Sequence, residues 1–334
     1  MAGTVRLAAT QAGYCSVPPE ADPFGEVFRL EAAREHARKR IESYASQVEE
    51  AGSARADLAV TQEDVANLHR VVVYLDDPSI FRTLVEETSV HILRRFSDIA
   101  RRHTMNVVVG LYQPEGDKIV NSAVLFGRDG SVIGRYRKVH LSPDESWLVT
   151  PGESFPAFVT DIGVVGMIVC YDDLWAESML ASALNGARII CHPMACASPP
   201  EWRMRTRAWD TQAFYVTSGY AGSGIVSPEG KMLSNAGDCD PTVVSAEADI
   251  EHASLNSENS WETIYSGIRD SRERRLKLRR PGAYRVLTDP APPALRAYPP
   301  GGPPKTPEAI RAVYEKQKEE YRRRLRGEGG RYDW

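Results

Sequence analysis

The chain has 334 residues, 42% of them hydrophobic and 26% charged, enough apolar content for one large α/β domain or two average ones. A formal charge of -4 argues against nucleic acid or an anionic membrane as a partner. No apolar run nears the roughly 18 residues a membrane helix needs, and "MAGTVRLAATQAGY" lacks the basic start and long apolar run of a signal peptide.

In chain order, "VRLAATQA" reads as a first strand. A polar helix spans about Leu30 to Ala51, with Gly52 placed just past its end as a stop. "ADLAVTQED" is a short apolar strand running into acids, and a second amphipathic helix covers about Ser79 to His103. "NVVVGLY", "NSAVLF" and "VIGRYRKVHL" are strands separated by the turn signals "PEGDK" and "GRDGS". "GVVGMIVC" reads as a buried strand from Gly163 to Val169 that delivers a thiol, Cys170, at its end. "WAESMLASALNGA" is a helix closed by Gly186, "RIICHPMAC" a strand, "EWRMRTRAWDTQA" a helix and "FYVTSGY" a strand. "GSGIVSPEGKML" reads as a hairpin and "TVVSAEADI" as the last strand. The alternation predicts an α/β fold with mixed sheets. The expected division is a domain over 1–287 and a Pro-rich arm with a helix over 288–334, Thr306 serving as its N-cap. Ile310, Val313, Tyr314, Gln317, Tyr321 and Leu325 share one face of that helix, which is expected to dock on its own body or on a second subunit.

The cysteines Cys15, Cys170, Cys191, Cys196 and Cys239 are odd in number, scattered and without metal-ligand spacing. This predicts a reducing, cytoplasmic setting with neither disulfides nor a metal. Three strand ends carry groups that could react: Glu63 after "DLAVTQ", Lys138 after "GRYR" and Cys170 after "GMIV". Open α/β sheets form their sites outside such ends. A thiol near its ordinary pKa of about 8.5 needs a base or a neighbouring cation to become a nucleophile. A carboxylate can take its proton, and a lysine can hold the oxyanion that forms when a carbonyl or nitrile carbon becomes tetrahedral. Taken singly, each residue also fits a blander role: apolar filler for Cys170, a turn or cap for Glu63, a solvated strand face for Lys138.

Taken together, the motifs resemble the nitrilase superfamily of carbon–nitrogen hydrolases. "DLAVTQED" is similar to its first motif, with Gln62 where the family has proline. "NSAVLFGRDGSVIGRYRKVHL" resembles its lysine motif and "GMIVCYDDLWAE" its nucleophile motif, with Glu177 at the family's usual acid. "ALNGARIICHP", "RTRAWDTQAFYV" and "RRLKLRRPGAYRVL" follow the downstream pattern, with Asp210-Thr211 in place of Glu-Asn. The resemblance implies a four-layer α-β-β-α sandwich of two mixed sheets. It also implies a Glu63–Lys138–Cys170 triad assisted by Glu145, with no cofactor. The backbone N–H of Tyr171 would share the oxyanion with Lys138.

The resemblance favours amide hydrolysis through a thioester, because Cys-Tyr-Asp resembles the amidase members. A nitrile or a carbamoyl amino acid would use the same triad. Tyr171, Trp147, Trp175 and Met194 are candidate pocket walls, with Trp202 beside them; ordinary core packing is the competing role. Arg203, Arg205 and Arg207 could bind a substrate carboxylate or lie on a salt-bridged helix surface. Rival readings are a Cys–His hydrolase using His140 or His192, an acyltransferase, and a non-catalytic scaffold. A homodimer or higher homo-oligomer is expected. The stretch "DVANLHRVVVYLDD" after Glu63 is expected to shape the pocket mouth.

Overall fold

The computed structural model describes residues 3–22, 27–69, 77–238, 240–251 and 258–298, and parts of 306–316. Strands β1 (Thr4–Gln11), β2 (Leu58–Val60), β3 (Asn106–Glu115), β4 (Lys118–Phe126), β5 (Val132–Arg137) and β12 (Thr242–Asp249) form one six-stranded sheet in the order β12-β1-β2-β3-β4-β5. Strands β6 (Ala157–Thr160), β7 (Gly163–Met167), β8 (Ile189–Pro193), β9 (Phe214–Ser218), β10 (Gly224–Val226) and β11 (Met232–Asn235) form the second, in the order β11-β10-β9-β8-β7-β6. Both sheets are mixed. Their central strands run parallel (β1, β2, β3 and β7, β8, β9), and antiparallel strands flank them.

Alternation along each strand sets the layers. Leu7, Ala9, Val60 and Val108 point inward to meet Met167, Ile189, Cys191 and Val216 of the facing sheet. Their neighbours Ala8, Ala59, Val107 and Val109 point the other way, against helices α1 (Leu30–Ser53) and α2 (Pro78–His103). On the far side Ile190, Tyr215 and Val226 pack against Met179 and Ala183 of α3 (Ala176–Leu184) and Met204 and Ala208 of α4 (Glu201–Thr211). The result is the expected α-β-β-α sandwich. After β12 follow α5 (Trp261–Ser266) and α6 (Ser271–Leu278), helices the sequence reading did not name. Arg272 of α6 is buried and donates to the carbonyls of Gln212, Ala183 and Ala187, which ties this segment to the ends of α3 and α4.

Some expected boundaries move. Gly52 does not stop α1 but lies inside it, where a Cβ would collide with the His103 ring, so its role is close helix packing. The strand before the thiol ends at Met167, not at Val169, and Cys170 opens a 3₁₀ turn over Cys170–Leu174. Thr306 accepts the Ala309 N–H as expected of an N-cap. Cys239 and, on the terminal helix, Ile310, Tyr314, Gln317, Tyr321 and Leu325 lie outside the described residues, as does 70–76. No described helix is long and apolar enough to cross a membrane.

Gly110 on β3 lets the chain leaving β2 pass close by. A Cβ there would stand 2.6 Å from the Gln62 carbonyl oxygen and from Glu63 Cα. Gly110→Ala is expected to cost about 1–3 kcal/mol, read as a lower urea midpoint, because backbone must move. An unchanged midpoint would mean that the β2–β3 crossing yields without cost.

Candidate active site

Glu63, Lys138 and Cys170 follow the ends of β2, β5 and β7, and Glu145 sits in the turn after Lys138. Lys138 is 2% exposed, yet its ammonium is held by two carboxylates. It donates to Glu63 Oε1 at 2.9 Å and to Glu145 Oε1 at 2.6 Å. Burial alone would lower the lysine pKa, but Glu145 and Glu63 overturn that and raise it well above its ordinary value. Burial would raise Glu145 in turn, but Lys138, His69 and the Tyr112 hydroxyl bring it down to about 2.

Other donors complete Glu145, which accepts two hydrogen bonds at each oxygen, while Glu63 Oε2 accepts one. Asn121 Nδ2 donates to Glu63 at 2.7 Å and to Glu145 at 3.1 Å, one proton each way. Tyr112 donates its hydroxyl to Glu145 at 2.7 Å and the Ser142 N–H donates at 3.1 Å. The Ala195 N–H reaches Glu63 Oε2 at 2.9 Å from the loop after β8. Glu63 therefore leaves one sheet and is gripped by a loop of the other.

Cys170 has φ 44°, a left-handed conformation that costs a non-glycine residue about 1–3 kcal/mol unless its surroundings hold it. Asp172 does the holding. Its buried carboxyl accepts the N–H groups of Val169 and His140 at 2.9 Å each and the Tyr136 hydroxyl at 2.6 Å. The thiol stands 3.9 Å from the Cys196 thiol. That contact, then burial and the Glu63 charge, push the Cys170 pKa well up, while Lys138 pulls the other way.

The remaining predicted residues fall in different places. Tyr171 meets Trp175 edge-on at 5.3 Å, and Trp175 stacks on His140 at 4.0 Å, an aromatic cluster on and beside the Cys170 turn. Met194 is buried next to Ala195. Trp147, two residues beyond Glu145, is covered by the Arg311 guanidinium at 4.7 Å from its ring centre. Trp202 lies away from the site, 64% exposed on α4, and Glu177 is exposed on α3. Arg203 and Arg207 turn to buried Asp173 and Arg205 to the Gly230 carbonyl, so these arginines serve the helix surface. Neither histidine suits a Cys–His pair. His140 Nδ1 faces Asp172, and His192 Nε2 faces the Cys170 carbonyl, not its thiol, with Nδ1 taken by the Tyr215 hydroxyl. After Glu63, residues Asp64 to Leu68 are buried, and His69 pairs with Asp144 at 2.9 Å. Sequence reasoning missed Tyr112, Asn121 and the role of Asp172. A polar residue at each of the buried positions 112 and 121, amid apolar strand neighbours, is the only signal it offered. Among the described residues no group of three or more His, Cys, Asp or Glu side chains could hold a metal ion.

Residues 17–255 match the family model described as carbon-nitrogen hydrolase, and the chain belongs to that family. A nitrilase from Pyrococcus abyssi is 34% identical over 165 residues, 46% of this chain and 63% of that protein. An omega-amidase from Xenopus tropicalis is 29% identical over 184 residues, 47% of this chain and 66% of that protein. The chain thus spans just under two thirds of the length of these curated relatives. A carbon-nitrogen hydrolase from Helicobacter pylori superposes with TM-score 0.66 at 22% identity, covering 85% of this chain and 98% of that one. An amidase of the nitrilase superfamily from Nesterenkonia AN1 gives 0.62 at 20%, covering 86% and 98%. At these identities the structures show the shared fold.

Two measurements follow from the site's electrostatics. The folded Glu145 pKa is depressed from 4.5 to about 2, so its stabilisation is complete above 4.5 and drains away as pH falls toward 2. The urea midpoint of the native chain should exceed that of Glu145→Gln at neutral pH, and the gap should close through that acid window. A gap constant with pH would contradict the ion-pair account. Asp172→Ala should cost about 3 kcal/mol or more, because two N–H groups and a buried hydroxyl lose their acceptor. Thermal unfolding at matched pH reads it.

Proposed function

We propose that this chain hydrolyses a small-molecule amide to a carboxylic acid and ammonia through a thioester on Cys170. The carrying observation is the buried ammonium of Lys138 clamped between Glu63 and Glu145, with the Cys170 thiol presented nearby on a held left-handed turn. A protonated thiol needs a base at the moment of attack. Glu63 takes the Cys170 proton as the sulfur bonds to the amide carbon. Lys138 and the Tyr171 N–H hold the tetrahedral oxyanion. Glu63 passes the proton to the nitrogen, the C–N bond breaks and ammonia leaves. Glu63 then takes a proton from water, whose oxygen attacks the thioester, and the thiol regains its proton as the acid departs. Glu145 fixes Lys138 and carries no proton in this sequence, which fits its depressed pKa. Tyr171, Trp175, Met194 and Trp147 form the pocket walls, and the residues themselves supply the chemistry without a cofactor.

The relatives named omega-amidase support the amide reading. The one named nitrilase keeps a nitrile substrate as the second reading on the same triad. Self-association belongs to the same proposal. Trp202 on α4 and Trp261 and Tyr265 on α5 are 64%, 71% and 85% exposed, and in this proposal a second copy covers them. Cytoplasmic residence in a reducing milieu is likewise proposed, since the reaction needs Cys170 reduced.

Ammonia release from a panel of small amides, nitriles and carbamoyl compounds tests this. Amides should react; Cys170→Ala should be silent, and Glu63→Gln should fall by about 10²–10⁴ with the fold intact by circular dichroism. Equal release by native protein and Cys170→Ala would sink the thiol mechanism. Release from nitriles alone would select the second reading.

A further inference from the structure

The proposed reaction uses one thiol, but the site holds two. Cys196 is exposed, in the loop after β8, and its Sγ lies 3.9 Å from Cys170 Sγ. Its position is fixed by the backbone around it. The Met194 N–H donates to the Ser218 carbonyl, the Ala195 N–H to Glu63, the Tyr220 N–H to the Cys196 carbonyl, and the Ser198 N–H to the Ala221 carbonyl. Four hydrogen bonds within five residues hold this loop against the triad. The other described cysteines have no such neighbour: Cys191 is sealed in the core between the sheets, and the Cys15 thiol points to the Ser16 carbonyl.

We propose that Cys170 and Cys196 form a peroxide-responsive modification site, in which Cys196 traps oxidised Cys170 as a reversible disulfide. A thiol oxidised alone can run on to the irreversible sulfinic acid, whereas a resolving thiol within reach diverts it. The chemistry needs hydrogen peroxide and nothing else. The Cys170 proton passes to Glu63 as the sulfur bonds to one peroxide oxygen, the same concerted transfer as in attack on a substrate, so no free thiolate forms. The O–O bond breaks, and hydroxide leaves and takes up the proton as water. Cys170 is now a sulfenic acid. Cys196 sulfur attacks that sulfur, the S–O bond breaks, and the departing hydroxide leaves as water with the Cys196 proton. Two thiols lose two electrons and two protons, and one peroxide becomes two waters. Closing the bond to its ordinary length of about 2.0 Å asks the sulfurs to approach by roughly 2 Å from their 3.9 Å separation. The disulfide removes the nucleophile, and a reducing thiol returns it.

The full chain would be treated with hydrogen peroxide, its remaining thiols alkylated, and its peptides mapped by mass spectrometry before and after dithiothreitol. Expected is a cross-linked peptide joining Cys170 to Cys196, lighter by two hydrogens and opened by dithiothreitol. In Cys196→Ala, and in Cys196→Ser as a second variant, Cys170 should instead carry the sulfinic acid, and its dithiothreitol-recoverable fraction should fall by roughly tenfold. Sulfinic acid on Cys170 to the same extent in native chain and variants would overturn the proposal. So would a disulfide from Cys170 to any other cysteine, or a Cys170 untouched by peroxide. Because the readout is mass, the result is independent of whether the substrate is an amide.

Discussion

A buried ammonium between two carboxylates organises this molecule. Each of the three charges is almost fully removed from water, and any one left alone would be neutralised or would unfold its surroundings. The polar residues nearby answer that constraint. Asn121 divides its two protons between the acids, Tyr112 and the Ser142 N–H fill out Glu145, and the Ala195 N–H fills out Glu63. The last bond matters for the fold as well, because it joins the end of β2 in one sheet to the loop after β8 in the other. The sandwich is closed by apolar contact between its sheets, and this bond joins them beside the site, as the Tyr136–Asp172 and Thr10–Ser218 bonds do elsewhere.

A second constraint concerns the thiol. A left-handed residue at the head of a 3₁₀ turn is strained, and Asp172 offsets the strain by accepting the Val169 N–H just before the turn, the His140 N–H from the segment after β5 and the Tyr136 hydroxyl from β5 itself. Tyr136 follows the alternation of β5 into the core, so the strand that presents Lys138 also supports the turn that presents Cys170. The two halves of the site are linked through one buried carboxyl.

Local patterns made much of this legible. Alternating strands, amphipathic helices and the reactive residues beyond three strand ends could be read because each depends on neighbours in sequence. Errors arose where distant contact decides. Gly52 reads as a helix stop, but its missing side chain makes room for His103, 51 residues away by number. "GMIVC" reads as strand to its last residue, yet Asp172 bends the backbone three residues earlier. Strand β6 and helices α5 and α6 escaped notice because their apolar positions are few and their order comes from docking, as with the buried Arg272. The arginines of α4 could be placed only once Asp173 was seen beneath them. Asn121 and Tyr112 looked like ordinary strand residues, since nothing in a linear sequence shows that Asn121 bridges Glu63 and Glu145 or that Tyr112 reaches Glu145.

The charge arithmetic of the site also bears on how the proposed chemistry can run. Glu63, Glu145 and Lys138 sum to one negative charge beside a neutral thiol. Forming a free thiolate is disfavoured, because the Cys196 contact, then burial and the Glu63 charge, push the Cys170 pKa up against the pull of Lys138. Attack on a neutral amide avoids it. As the thiol proton moves to Glu63, one carboxylate is lost, and the new negative charge appears on the oxyanion beside Lys138. The total stays at one negative charge throughout, and no step creates an unpaired ion in a low-dielectric space. The same balance tells against substrates that bring their own negative charge to the reacting carbon, because that charge would add to a site already anionic. In the proposed reaction a neutral acyl group meets this requirement, because its oxyanion appears beside Lys138 without adding to the charge of the site.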